Sequence, residues 1–596
     1  MLRNYIGLAT SFHDSAVAVV DSRGELVFAE ATERHLQYKR AINCVADSAF
    51  HIEEVVERHC EPGAELVVVK SWDPSYVDRD QWAARLYFRY LRTFHPALER
   101  RLRWSFEWNK ATSRLAGRNT LHLLNRDVRT LYEREPLKRP CTVRGVGHHL
   151  AHAANACYSS AFGEALCAVI DGYGETRSFD FFRFREGRLE PVARLPKRGA
   201  SLGQFYTILA EVCGFETLKG EEWKMMGLAA YGRHDPALYA LLDQCVRVEG
   251  GNVVEGRSGA RAKRRLVAMA RRKGEPALDW ADLACTGHQV FCEKFAQLLR
   301  WAHAASPSDN LALVGGCALN SAWAGKVLER TPFQRLYIPP APADDGNAAG
   351  AAWLGYLQDG GRIPPRADVV SPYLGSAIRP EAVDHCRRYS GMRPTRVPGR
   401  GVCEQTAELL ARGMIVGWLQ GRAEFGPRAL GNRSILADPR RADVKEVLNA
   451  RVKFREEFRP FAPAILHEHG PRFFEHYQES PYMDRALAFR PEVRHLVPGV
   501  VHVDGTGRLQ TVRREWNERF HALVSAFHAL TGIPILLNTS FNVMGKPIVH
   551  SLEDALAVFF TSGLDVLVVG DDVYVKEDFM RPESSSEVFS AAAAAG

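Results

Sequence analysis

One strand pattern occurs twice in this chain and constrains its fold more than any other feature. "YIGLATSFHDSAVAVVDSRGELVFAEATE" reads as apolar strand, polar loop, strand, a turn at Asp21 to Gly24, and strand. "ALCAVIDGYGETRSFDFFRFREGRLEPVARL" repeats that order, with an acidic glycine-rich loop and a turn at Glu186-Gly187. One copy would specify only a hairpin. Two copies in one chain specify a duplicated α/β domain.

That duplication resembles the actin and sugar-kinase kind, and it frames the rest of the chain. With 596 residues, two or three domains are expected rather than one core. The first is read over residues 1–365, with a helical insertion at 80–140 that is rich in arginine and aromatic residues. The insertion reads either as a lid or RNA-binding surface, or as an amphipathic element whose arginines lie along apolar surface. A second basic run, residues 257–274, reads as a solvated helix or a loop. The proline- and glycine-rich stretch 357–383 marks a boundary. A second α/β domain follows over 384–575, and "ESSSEVFSAAAAAG" closes a low-complexity, disordered tail at 576–596.

The bulk numbers exclude little but exclude it cleanly. A net charge of +7 from 77 basic and 70 acidic residues is too small for this length to argue for nucleic acid, while leaving anionic small molecules open. No apolar run reaches the ~20 residues that span a bilayer. The twelve cysteines form no C-x-x-C pair, and the first residues lead straight into a strand, so a reduced, cytoplasmic chain is expected.

Four clusters carry chemistry. In "GVGHHLAHAANA", His148 and His152 share a helix face, and Asp171 and Asp344 are the candidate oxygen donors. Two imidazoles and one or two carboxylates suit Fe(II), Zn(II) or Mn(II), whereas by local sequence alone the pair also reads as two ordinary buried histidines. His13-Asp14, at the end of the first strand, reads either as a general base or as a loop histidine bonded to a carbonyl. Gly315, Gly316 and Asn320 in "NLALVGGCALNSAWAGKVLER" form a strand–turn–helix pattern whose amides suit a phosphate.

The fourth cluster is basic. "GRAEFGPRALGNRSILADPR" and "RVKFREEFRPFAP" supply Arg428, Arg433, Lys453, Arg455 and Arg459, and guanidinium forks of this density suit a polyanion. "IPILLNTSFN" ends in Asn538, Ser540 and Asn542, whose hydroxyl and amides suit a phosphate or nucleotide beside them.

Taken in order, "FHDSA", "HHLAH", "DGYGE", "KMMGLAAYG", "GGCALN", "DDGNAAGAA", "EFGPRALGNRSILADPR", "VKFREEFRPFAP" and "LNTSFN" resemble the ATP-dependent O-carbamoyltransferases, the family of the nodulation-factor, cephalosporin and tobramycin carbamoyltransferases. The resemblance implies two sites. A C-terminal, YrdC-like domain turns carbamoyl phosphate and ATP, with Mg(II), into carbamoyl adenylate. Lys453, Arg455, Ser540 and Asn542 match its pattern, and Arg428, Arg433 and Arg508 are added as phosphate contacts. An N-terminal actin-like (ASKHA) domain passes the carbamoyl group to a hydroxyl of a small molecule such as an antibiotic. There His148, His152, Asp171 and Asp344 match a metal site expected to hold iron, and His13 acts as the base.

Competing readings are a tRNA threonylcarbamoyl transferase, a hydrogenase-maturation carbamoyltransferase and a non-catalytic nucleotide-binding protein. The fused C-terminal motifs weigh against the first and the absent C-x-x-C pairs against the second. Neither nucleic acid nor a membrane is expected as a partner, and a homodimer is left open.

Overall fold

In the computed structural model, residues 2–11, 13–72, 141–192, 199–395, 398–456 and 458–576 are described. The 80–140 insertion and the tail beyond residue 576 lie outside them.

The repeat in the sequence is a repeat in space. Strands β1 (Arg3–Ala9), β2 (Ala16–Val20), β3 (Leu26–Ala31), β4 (Glu65–Lys70) and β5 (Cys141–Gly145) form a sheet of order β3-β2-β1-β4-β5. β6 (Glu164–Ile170), β7 (Phe179–Arg185) and β8 (Arg188–Pro191) precede a small hairpin, β9 (Arg247–Glu249) and β10 (Asn252–Val254). They join β11 (Asn310–Val314) and β12 (Arg335–Tyr337) in the order β12-β11-β6-β7-β8. In both sheets the first three strands form an antiparallel meander and the last two add in parallel. The expected duplication therefore holds strand for strand.

Each repeat ends in an alanine-rich helix, His148–Ser159 after β5 and Asn347–Gln358 after β12. These two helices cross at the centre. A Cβ on Gly350 would stand 1.8 Å from the Ala151 carbonyl oxygen, and one on Gly7 of β1 the same distance from Ala348. Only small residues permit so close a crossing, which explains the alanine and glycine content of both helices. Between the repeats' strands, the helices Leu202–Val212 and Ala281–Ala305 bury a second core around Phe291, Phe295 and Trp323.

One local expectation changes and one is narrowed. The turn after β11 leads not into one helix but into a 3-10 turn, Gly316–Leu319, and two short helices, Ser321–Ala324 and Val327–Arg330. Gly325, between them, is packed so closely on the Ala486 carbonyl of the C-terminal unit that a Cβ would lie 1.8 Å from it. The basic run at 257–274 forms the helix Gly259–Ala268, which buries Ala262 and Leu266 and exposes its arginines.

After a stretch without helix or strand at 360–376, the chain builds one mixed eight-stranded sheet. Its strands are β13 (Val416–Leu419), β14 (Arg433–Ala437), β15 (Ala462–Leu466), β16 (Arg485–Ala488), β17 (Thr506–Val512), β18 (Ile535–Ser540), β19 (Val566–Val569) and β20 (Asp572–Val575), in the order β16-β17-β15-β18-β14-β13-β19-β20. β18 lies inside, paired antiparallel with β14 and β15. The β13–β14 loop reaches out to the first unit: Gly426 sits where a Cβ would be 2.1 Å from the Pro340 carbonyl, and its own carbonyl accepts from Arg34 at 2.6 Å. No helix among the described residues is long and apolar enough to cross a membrane.

Candidate functional site

Duplication places two kinds of group at one point. The loops after β1 and β6 are equivalent, and they carry His13 and Asp171; the starts of the two crossing helices are equivalent, and they carry His148 and Asp344. His148, with His152 one turn on, Asp171 and Asp344 form a cluster whose ligand atoms all lie within 4.8 Å of one another. His148 Nε2 is 3.5 Å from both Asp171 Oδ2 and Asp344 Oδ1, and His152 Nε2 is 3.4 Å from Asp344 Oδ1 and 4.0 Å from Asp171 Oδ2.

Both imidazoles are fully buried and neither Nε2 has a hydrogen-bond partner. Ligands at roughly 2.1 Å from one ion stand about 3–4 Å apart, so this donor set fits a single divalent cation. Burial opposes charge on His148, but Asp344 and Asp171 overcome it and raise its pKa to about 10. The same contacts hold Asp171 down at about 2 against its burial. His152, buried beside that charge, is pushed down instead.

Neighbouring groups orient the ligands. Gly316 N–H donates to Asp171 Oδ1 at 3.0 Å, Glu175 accepts from the His148 backbone N–H, and Trp72 packs on the His148 ring at 4.5 Å. The Gly315-Gly316 turn thus departs from the phosphate-loop expectation: one amide is spent on a metal-ligand candidate, and Gly315 (φ 96°) is required because a Cβ would meet the Ile170 carbonyl at 2.4 Å. Asn320 Oδ1 caps the short helix through Trp323 N–H at 3.0 Å.

His13 is beside the cluster, its Nδ1 4.0 Å from Asp344 Oδ2 and 2.9 Å from Asp14 Oδ2. Arg40 donates to both Asp14 oxygens, the closest at 2.6 Å, and to the Thr217 carbonyl at 3.1 Å. Burial would raise the Asp14 pKa, yet Arg40 and His13 hold it well below the usual carboxylate range. No motif marks Arg40, since a lone arginine in "QYKRA" carries no pattern.

A second site lies where the C-terminal unit faces the first. Asn449–Lys453 is a π-helical turn closed by Phe454 in the left-handed region (φ 49°). It delivers Lys453 to the end of β18, where the ammonium donates to the Ser540 carbonyl, to Asn542 O at 3.0 Å and to Asn542 Oδ1 at 2.8 Å. Arg455 lies over the Phe461 ring at 4.3 Å and donates to Asn449 Oδ1 at 2.7 Å. Arg459 stacks on Trp223 of the first unit at 4.0 Å.

Arg508 joins this group, and its buried Nε lacks a partner, as do Arg455 Nη2 and Arg459 Nε. Burial and mutual repulsion push Lys453, Arg455 and Arg508 well below their usual values; Arg428 falls to about 10 by burial, and Arg459 to about 10 by burial despite Glu456. Glu456 is itself engaged by Lys224 at 2.7 Å, across the two units.

Two expected members stand apart from this cradle. Arg433 is fully buried and donates to the carbonyls of Gln420, Asn432, Gly421 and Ser376, so its fork holds the β13–β14 loop together. Asn538, inside the sheet, donates to Gln510 Oε1 at 2.7 Å and to the Ala429 carbonyl at 3.3 Å, supporting the loop that bears Arg428. Lys39 and Trp223, singled out by no motif, and Lys224, which only opens "KMMGLAAYG", come to this site by tertiary contact.

The chain is similar to known proteins along most of its length. The family profile described as "Carbamoyltransferase N-terminus" matches residues 4–353, and "Carbamoyltransferase C-terminus" matches residues 407–576. Nodulation protein NolNO of Sinorhizobium fredii is 38% identical over 462 residues, which is 75% of this chain and 66% of NolNO, just under two thirds of its length. Nodulation protein NolO of Bradyrhizobium diazoefficiens is 37% identical over 71% of this chain and 78% of its own. The uncharacterized protein sll1178 of Synechocystis sp. is 31% identical over 96% and 97% of the two chains.

Proposed function

The chain belongs to the carbamoyltransferase family, and from that membership we propose that it is an ATP-dependent O-carbamoyltransferase with two reaction sites. At the cationic cradle, carbamoyl phosphate and ATP, with Mg(II), give carbamoyl adenylate. The conversion takes up one water and releases phosphate from the first and pyrophosphate from the second. Lys453, Arg455, Arg459 and Arg508, with Arg428 behind them, hold the phosphates, while Ser540 and Asn542 fix the Lys453 ammonium.

At the four-ligand cluster, a hydroxyl of a small molecule of the secondary-metabolite type takes the carbamoyl group. His148, His152, Asp171 and Asp344 would hold a divalent cation, iron by the family resemblance, which would supply a Lewis acid there. His13 accepts the proton of the incoming hydroxyl. Asp14 on its Nδ1, anchored by Arg40, orients the ring and stabilises the imidazolium that forms. The acceptor oxygen bonds to the carbamoyl carbon, the bond from that carbon to AMP breaks, and AMP leaves with the electron pair.

The observation that carries this reading is the cradle: buried cations depress one another's pKa values, and a phosphate-bearing ligand reverses that cost. The test is pyrophosphate release from ATP with and without carbamoyl phosphate and no acceptor. Release that requires carbamoyl phosphate and falls at least about 100-fold in Lys453→Ala supports the reading. Release that is absent, or unchanged in the variant, sinks it.

A further inference from the structure

Asp344 opens the 3-10 turn Asp344–Gly346 that leads into the helix beginning at Asn347, and both residues face His148 of the other crossing helix. The Asn347 side chain is fully buried, and its terminal amide is 3.2 Å from His148 Nδ1. The atom at that distance is Nδ2, while Asn347 Oδ1 has no hydrogen-bond partner. Two facts of chemistry bear on this pairing. An imidazole that offers its Nε2 lone pair to a cation carries its proton on Nδ1, and that N–H needs an acceptor. A half-turn of a carboxamide exchanges oxygen and nitrogen at nearly constant shape.

From this we infer that Asn347 is the positioning residue of the metal centre: its amide turns so that Oδ1 accepts from His148 Nδ1–H, fixing the tautomer and the ring plane that present Nε2 to the cation. The inference rests on the metal reading of the His148 cluster. His152, whose Nδ1 is buried without a partner, gets no such support. His148 is therefore the ligand set in advance, and Asn347 carries the bond that sets it. The same helix start supplies Asp344 as a ligand and Asn347 as the orienting group, so metal affinity is tied to the crossing of the two helices.

The experiment titrates full-length, metal-free protein with Co(II), reading d–d absorption, for wild type, Asn347→Leu and Asn347→Asp. Leucine fills the space without an acceptor and asparagine's isostere aspartate keeps one. Expected is a Co(II) affinity 10- to 100-fold weaker in Asn347→Leu, with Asn347→Asp at least as tight as wild type and metal-free thermal midpoints alike. Asn347→Leu within twofold of wild type would overturn the inference while leaving the metal site standing. If Asn347→Leu does not fold, Asn347→Asp decides: a tenfold loss there overturns it. A wild type that takes up no Co(II) removes the metal reading and the inference together.

Discussion

Arg508 is held where burial and the charges of Arg428, Arg455 and Arg459 all oppose its own. Such a position costs stability in the absence of an anion, and removing the charge while keeping the stem relieves that cost. Arg508→Met is therefore expected to raise the stability of the ligand-free protein by about 1 kcal/mol and to weaken ATP binding at least about tenfold. Thermal unfolding with and without ATP reads both: wild type gains stability from ATP, and the variant gains much less. Arg433 is a contrast at the same scale, since its fork is spent on four carbonyls and is expected to matter for folding rather than for nucleotide. Side-chain type alone did not separate the two arginines. Their partners did.

At the scale of elements, the proposed metal site needs two helices close enough for His148, His152 and Asp344 to reach one cation. The contact of Gly350 with the Ala151 carbonyl sets that approach. Gly350→Ala forces the helices apart or strains the crossing, at a cost of roughly 3 kcal/mol. The expected outcome is a lowered thermal midpoint together with substoichiometric divalent metal after reconstitution, measured by elemental analysis. Full metal content at wild-type stability would show that the crossing is not what assembles the site. These helices were legible in the sequence from their alanine runs and from "HHLAH" and "DDGN", because short periodic segments follow local rules. The broken helix after Gly316 was not, and the close packing of Gly325 on the Ala486 carbonyl is likewise a contact between distant parts of the chain.

Across the whole molecule, the two units meet over charged and titratable groups. Glu30 of β3 is buried, accepts from Ser376 N–H at 2.8 Å and stands 3.2 Å from His550 Nε2 of the C-terminal unit. Burial opposes both charges, but the pair prevails: Glu30 is held well below the usual range and His550 is raised above its ordinary 6.5. A raised histidine contributes stability that is whole below its unfolded pKa and is lost as pH rises through its folded one. His550→Asn is thus expected to cost roughly 1.5–3 kcal/mol at pH 5.5 and clearly less at pH 9. Thermal midpoints of the two proteins at both pH values check this, and an equal penalty at both would show that His550 acts without its charge. His51, pushed down to about 4 by burial against the pull of Glu30, stays neutral across that window.

The sequence by itself determined the duplicated sheet and the two helices that end the repeats; the four metal-ligand candidates and the Lys453–Arg455 pair were named from short motifs and the family resemblance those motifs carry. The sheet and helices are written in local periods that the backbone converts directly into position, whereas the motif residues are brought together only by the fold. Only the tertiary structure decided that Arg40 anchors Asp14, that Trp223 and Lys224 complete the cradle from the other unit, that Asn347 faces His148, and that Arg433 and the Gly315-Gly316 turn serve structure and orientation. Those roles depend on which groups come within about 3 Å across long stretches of chain, and no one-dimensional pattern records that distance.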